Sequence, residues 1–201
     1  MISEKLKNKD MSKNRHFCLS LFCTRILPVL VIFHLSLITS HSRPRVLPQK
    51  QAAHFCRLLL NDGEGHIYPV KVYAQRLTTL LYTEPHYGEF SAEQVFTGFI
   101  FFYEDWAQLP MAFGDGRGRM LMEELHSGQT LRIFPHVQGR EAVWYAPTDN
   151  LPTSIDAEHR KYISEVFDRL NAAVHDANWS LVDAFIDKMI QYQCRFGKAK
   201  P

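Results

Sequence analysis

The stretch IDAEHRKYISEVFDRLNAAVHDANWSLVDAFIDKMIQYQCRFG, residues 155–197, decides how the C-terminal part of the chain folds. Its apolar side chains recur every three or four residues, which is the period of an amphipathic helix. The spacing predicts two helices, whose apolar faces carry Ile155, Tyr162, Ile163, Val166, Phe167, Leu170 and Val174 in the first and Leu181, Phe185, Met189, Tyr192 and Phe196 in the second. Ser180 and Asp183 have capping-box spacing at the start of the second helix, and Gly197 suits its end. The short turn between them predicts an antiparallel pair.

Short apolar runs and glycine-containing turns fill residues 55–145. The runs at 55–61 and 66–70, around Asp62-Gly63-Glu64-Gly65, predict one β-hairpin, and the runs at 131–135 and 141–145 predict another. Helices are predicted from Val70 to about Thr83, from the Ser91 capping box to residue 102, and from Met120 to His126, whereas 114–119 is predicted to be a surface turn. The predicted fold class is therefore α+β: one mostly helical domain, residues 55–201, with short β-hairpins and a C-terminal antiparallel helix pair.

The first 42 residues differ in kind from the rest of the chain. A basic start is followed by an apolar run that is densest at 26–38 and by a small polar exit, which is the pattern of an export signal or signal anchor. These residues hold six Lys/Arg and two Asp/Glu, or +4, and since the whole chain is +2 the remainder is −2. We expect a retained anchor in the cytoplasmic membrane, a linker over 43–54, and a main domain on the periplasmic side.

Recognisable catalytic constellations are missing from the sequence. It contains no His-Glu-x-x-His, Gly-x-Ser-x-Gly, Walker or Cys-x-x-Cys motif, and no Lys/Arg-rich face predicts nucleic-acid binding. We therefore predict no catalytic residues and no metal-binding residues. His66 and His136 are the candidate cofactor ligands if folding brings the two hairpins together, and Asp62 joins them as a candidate if the domain is an enzyme with a dispersed site. Cys56 and Cys194 either pair in an oxidising compartment or remain free and buried.

Five short segments, in order, resemble one family. They are LNDGEGHIYP (60–69), YGEFSAEQVFTG (87–98), WAQLP (106–110), WYAP (144–147) and YQCRFG (192–197). Together they are similar to the extracytoplasmic region of system II (Ccs-type) cytochrome c biogenesis proteins of Bacteroides-like bacteria, which are fused membrane haem-handling and haem-lyase proteins. His66 stands where that family tends to have Arg, and Val72 where Thr is common.

The resemblance implies an accessory or scaffold role in a cytochrome c maturation complex at the membrane. The implied partner is a multi-span haem-handling protein or apocytochrome c, and haem would be bound through that partner rather than directly. Family members continue into membrane spans with haem-ligating histidines, and no position of this chain matches those ligands. The resemblance therefore implies the extracytoplasmic piece of a split or truncated system. Two alternatives stay open: an exported enzyme with a dispersed active site, and a generic exported interaction module that uses the C-terminal helix pair.

Overall fold

Helices and three two-stranded antiparallel sheets build the part of the chain that the computed structural model describes, residues 43–111, 115–139 and 141–197. In chain order the elements are α1 (Gln49–Phe55), β1 (Leu59–Asn61), β2 (Ile67–Pro69), α2 (Val70–Tyr82), β3 (His86–Tyr87), β4 (Phe90–Ser91), α3 (Ala92–Phe101), α4 (Tyr103–Trp106), α5 (Asp115–His126), β5 (Phe134–Gln138), β6 (Glu141–Tyr145), α6 (Ala157–His175) and α7 (Trp179–Phe196). The predicted α+β class, with short hairpins and a C-terminal helix pair, is confirmed. The predicted signal or anchor, residues 1–42, lies outside the described residues. Among the described residues, no helix is long and apolar enough to cross a membrane.

Helix α3 is the centre of the core. It begins with the predicted capping box, in which Ser91 Oγ accepts from the Gln94 N–H and the Gln94 side chain accepts from the Ser91 N–H. Helices α1, α2 and α5 all pack against it. The ring of Trp106 is fully buried against the α3 backbone at Gly98, where an added Cβ would lie 2.5 Å from Trp106 Cε2. Only a glycine at position 98 leaves room for that ring.

Residues 43–54 form part of the domain, and their prediction as a linker is wrong. Helix α1 begins after Pro48, and Leu47 and Ala52 are fully buried. Before the helix, the guanidinium of Arg45 donates to both carboxylate oxygens of Asp105, at 2.8 and 3.1 Å, and its carbonyl accepts from Trp106 Nε1 at 3.0 Å. The short segment has too few residues to show a periodic pattern, so only these distant contacts reveal that it is ordered.

Helix α5 is longer than the sequence indicates. The predicted turn at 114–119 is helical from Asp115 onwards, and the helix continues to His126. Its buried side chains Met122 and Leu125 pack into the core, and α5 lies against α3. Because packing of an apolar face contributes more to helix stability than intrinsic propensity does, Gly116 and Gly118 are accommodated within the helix.

The C-terminal helices α6 and α7 pack against each other as predicted, but their details differ. The cap of α7 is Asn178, whose side chain accepts from the Leu181 N–H, and not the predicted Ser180. The buried face of α7 is turned toward Val182 and Ile186, which leaves Leu181 41% exposed. Gly197 ends the helix with φ −86°, so the left-handed C′ conformation is absent there.

The hairpin β1–β2 is held to the body by a side chain of α7. The amide of Gln193 accepts from the Leu59 N–H at 2.8 Å and donates to the carbonyl oxygens of Leu59 and Ile133 at 2.8 and 2.7 Å. Further along β1, the Asn61 N–H donates to the Arg132 carbonyl at 3.1 Å. These bonds fill the outer edge of β1 as a neighbouring strand would, and they fix the hairpin against α7 and residues 132–133.

Candidate functional site

Two of the three residues singled out in the sequence meet at the tip of the β1–β2 hairpin. The ring nitrogen Nδ1 of His66 lies 2.9 Å from Asp62 Oδ2. The His66 side chain is 74% exposed, so the pair faces solvent at the tip. Since a carboxylate can only accept, Nδ1 carries the proton in this contact, which leaves Nε2 of a neutral ring with a free lone pair.

The loop between the two strands is built to hold Asp62 in place. Its Oδ1 accepts from the backbone N–H groups of Glu64 and His66, at 2.8 and 3.1 Å. Gly63 and Gly65 adopt φ of +88° and +95°, which the tight turn requires and which other residues rarely tolerate. Although partial burial favours the neutral acid, the hydrogen bonds from the Glu64 N–H and the His66 ring hold the pKa of Asp62 below its ordinary value. The hairpin tip therefore carries the negative charge of Asp62 in a loop that these hydrogen bonds hold in place.

A small pocket lies beside this tip, and we call it the hairpin pocket. Its volume is about 180 Å³, and its lining comes from β1, α2 and the segment after α5: Leu60, Asn61, Asp62, Tyr73, Gln129, Thr130 and Arg132. The backbone bond from Asn61 to Arg132 brings the last segment to β1. A Cβ on Gly63 would come 2.5 Å from Arg132 Nη1, so the glycine also makes room for the guanidinium.

The polar groups of the hairpin pocket include donors without a protein acceptor. Thr130 Oγ1 is buried without a hydrogen-bond partner, and among the described residues no carboxylate pairs with the Arg132 guanidinium. Burial raises the pKa of Tyr73, so its phenol stays a neutral hydroxyl. Tyr73 is fixed by an edge-to-face contact with Phe96, with ring centroids 5.9 Å apart. Sequence reasoning missed this pocket, because the residues of its two walls lie more than 50 positions apart.

His136 belongs to a different part of the domain. Its ring stacks on Phe196 with centroids 6.3 Å apart and lies 6.4 Å from the ring of His159. Nδ1 of His159 is 2.6 Å from Asp156 Oδ2, and the His159 N–H is the main cause of the lowered pKa of Asp156. No hydrogen bond or ring contact among the described residues joins His136 to His66, and their role as cofactor ligands stays a prediction.

The aromatic cluster around His136 and His159 also contains two tyrosines. Tyr162 and Tyr192 stack with centroids 5.2 Å apart, and Tyr192 packs on Phe196 at 4.6 Å. Burial raises the pKa of each phenol to about 12. Neither hydroxyl has a hydrogen-bond partner, nor has His136 Nδ1. Over the described ranges, no three His, Cys, Asp or Glu side chains are placed to hold a metal ion together.

A histidine that the sequence did not single out joins α1 to α7. His54 Nδ1 lies 2.8 Å from Asp183 Oδ1, and its Nε2 lies 3.0 Å from Asp187 Oδ1. A neutral imidazole carries a proton on only one of these two nitrogens, and a carboxylate can only accept. The hydrogen bond from His54 is the main cause that lowers the pKa of Asp183. The i, i+4 spacing of the two aspartates is visible in the sequence, but their partner 129 residues away is not.

The two cysteines have different surroundings. Cys56 is buried, and burial raises the pKa of its thiol, whereas Cys194 is exposed on α7. Both are free thiols. Of the two alternatives that the sequence left open, the structure has the free thiols, but only one of them is buried.

No protein-family model matches the chain, and no curated protein matches it significantly. The resemblance to cytochrome c biogenesis proteins therefore remains a prediction.

Proposed function

We propose that the domain of residues 43–197 is an accessory binding module of a cytochrome c maturation complex at the membrane, and that the β1–β2 hairpin is the element that binds its partner. The observation that carries the proposal is a rigidly held hairpin with apolar side chains on its outer face. The same hairpin contains the first segment, 60–69, that resembles the biogenesis proteins. That the complex is one of cytochrome c maturation rests on the resemblance alone.

The pairing of the two strands explains the exposed face. Leu60 lies opposite Tyr68, and these two side chains turn toward the body, with Leu60 2% exposed. Neighbouring residues of a strand point to opposite faces, so Leu59 and Ile67 point outward. They are 37% and 48% exposed. An apolar side chain on a fixed scaffold loses little conformational freedom when it is covered by a partner, which favours binding.

The partner that we propose is a multi-span haem-handling membrane protein, with apocytochrome c as the second possibility of the same class. Haem would be bound by that partner, and the domain would contribute contact surface. The proposed membrane location rests on the basic and apolar leader, residues 1–42. Alkaline phosphatase fused after residue 60 should therefore be active and β-galactosidase fused there should be inactive. The opposite pattern would place the domain in the cytoplasm and overturn the location.

The hairpin is tested by replacing Ile67 with a charged residue. We expect Ile67→Asp to abolish co-purification of the full chain with a multi-span membrane partner and to lower the amount of mature c-type cytochrome. Leu80→Asp is the matched control, because Leu80 is 44% exposed on α2 and should tolerate the same charge without loss of binding. If both variants keep the partner, or if the unmodified chain captures none, the proposed function is wrong.

A second function is favoured by one specific observation, the Asp62–His66 pair. An imidazole oriented through Nδ1 by a carboxylate, with Nε2 free, is the arrangement of a general base. The exported-enzyme alternative would therefore use His66 as base and Asp62 as its positioning residue, with His136 playing no part. A hydrolytic activity lost in His66→Ala and kept in His86→Ala, an exposed histidine of β3, would favour the enzyme. Equal activity in the two variants would exclude it.

A further inference from the structure

We propose that two copies of this chain associate through the groove between α6 and α7, with their α6 helices antiparallel about a two-fold axis. We call this groove the helix groove, and its apolar floor is formed by Tyr162, Val166 and Phe185. The inference goes beyond the proposed partner binding, because that function uses the outward side chains Leu59 and Ile67, and neither of them lines the helix groove.

Apolar side chains of both helices reach the surface at the helix groove. Val166 is buried, whereas Tyr162 and Phe185 are half-buried. Leu181 lies one turn before Phe185 on the same face of α7, and it is 41% exposed. A second molecule that covered this surface would remove these side chains from water, which favours association.

The shape of the helix groove fits the side chains of another helix better than a small ligand. Its volume is about 230 Å³, which lies below the roughly 300–1,000 Å³ of sites for drug-sized ligands. The two helices that form it have 19 and 18 residues, so each is about 27–28 Å long. An open groove along two such helices is the kind of surface that an amphipathic helix covers.

The charges on the α6 side of the helix groove indicate which helix fits it. Their signs alternate along the chain, in the order Glu158, Lys161, Glu165 and Arg169. Because they recur every three or four residues, they form one stripe along the helix. Charges that flank a helix–helix contact decide which partner binds and in which direction it runs.

This stripe is complementary to itself in one direction. In a parallel copy in the same register, each charge would face its own like charge. In an antiparallel copy, with the two-fold axis near residue 163, Lys161 lies beside Glu165 of the second copy and Glu158 lies beside its Arg169. Every pair then has opposite signs, and the two-fold axis makes each pair occur twice.

The ion pairs within one copy do not prevent these contacts. Arg169 Nη2 lies 2.7 Å from Glu165 Oε2, and Lys161 Nζ lies 4.0 Å from Glu165 Oε1. The side chains are 62%, 71% and 40% exposed for Arg169, Lys161 and Glu165, and ion pairs in water contribute little to stability. A carboxylate can also accept from several donors, so Glu165 can keep Arg169 and accept from Lys161 of the second copy.

Co-purification of two differently tagged full-length copies from the same cells tests the proposal. We expect the two unmodified copies to co-purify. Glu165→Lys should abolish their association, because the new charge would face Lys161 of the other copy on both sides of the axis. Glu84→Lys is the matched control, since it makes the same change at an exposed position after α2 that does not line the helix groove, and it should leave the association unchanged.

A double variant separates loss of the interface from loss of the fold. Lys161→Glu combined with Glu165→Lys places opposite charges beside each other again, so this variant should co-purify with itself. It should not co-purify with the unmodified chain, because each exchanged charge would then face a like charge.

The proposal is overturned if the unmodified copies do not associate, or if they associate equally well with Glu165→Lys, which would show that another surface joins them. A double variant that fails to bind itself, or that binds the unmodified chain, would contradict the antiparallel pairing. Ile67→Asp should still self-associate, so failure of the proposed function would not be mistaken for failure of this inference.

Discussion

Gln193→Ala should be the most informative single change for the attachment of the hairpin. Gln193 is 6% exposed, and its amide makes three hydrogen bonds, two with Leu59 and one with the carbonyl of Ile133. A typical buried hydrogen bond contributes about 1 kcal/mol net, so the three together contribute about 3 kcal/mol. Water can replace part of the bonding at Leu59, which is 37% exposed, but it cannot reach the carbonyl of Ile133, which is 1% exposed. We therefore expect the free energy of unfolding to fall by about 3 kcal/mol.

Equilibrium urea denaturation, followed by tryptophan fluorescence, measures this loss. Gln108→Ala is the matched control, because the Gln108 amide makes one exposed hydrogen bond to the carbonyl of Glu104 and its removal should cost less than about 0.5 kcal/mol. Gln193→Glu should be at least as destabilising as Gln193→Ala, since a carboxylate would face the two carbonyl oxygens that now accept from the amide. Equal stability of Gln193→Ala and Gln108→Ala would refute the view that this amide fastens the hairpin.

Three further predictions concern the core and the response to pH. Gly98→Ala should lower the free energy of unfolding by about 1–3 kcal/mol, because the new Cβ would overlap the buried ring of Trp106. Thermal denaturation measures this loss, and an unchanged midpoint would contradict the close contact. Burial raises the pKa of Tyr192 to about 12, above its ordinary value of about 10, so the neutral phenol stabilises the fold below pH 10 and that contribution is lost as the pH rises toward 12. Tyr192→Phe should therefore flatten the fall in stability between pH 10 and 12, and an identical alkaline profile would argue against burial of the phenol. The pKa of Asp183 is lowered chiefly by the hydrogen bond from His54, so its contribution is present above about pH 4 and is lost at lower pH. Asp183→Asn should have a lower free energy of unfolding than the unmodified protein at pH 7, and the gap between the two should shrink toward pH 3. A gap of the same size at both pH values would show that the charge of Asp183 does not contribute to stability.

The elements that could be predicted from the amino-acid sequence are those whose signals are local. The helical periods of 70–82 and 157–196, the capping box of Ser91 and Gln94, and the two glycine turns that close the longer hairpins all act within a few residues, so each could be predicted without knowledge of the fold. The pairing of Asp62 with His66 is likewise a contact across four residues.

Contacts between groups that are distant in the sequence depend on how the elements pack together. Residues 43–54 are ordered because Arg45 and Leu47 find partners far along the chain, and α5 extends through two glycines because its apolar face is covered by α3. The separation of His66 from His136 and the unpaired fork of Arg132 beside Gly63 depend in the same way on how the hairpin sits against α7 and residues 129–133. Packing and side-chain hydrogen bonds between segments 60 to 134 residues apart leave no periodic pattern in the sequence, so periodicity could not predict these contacts.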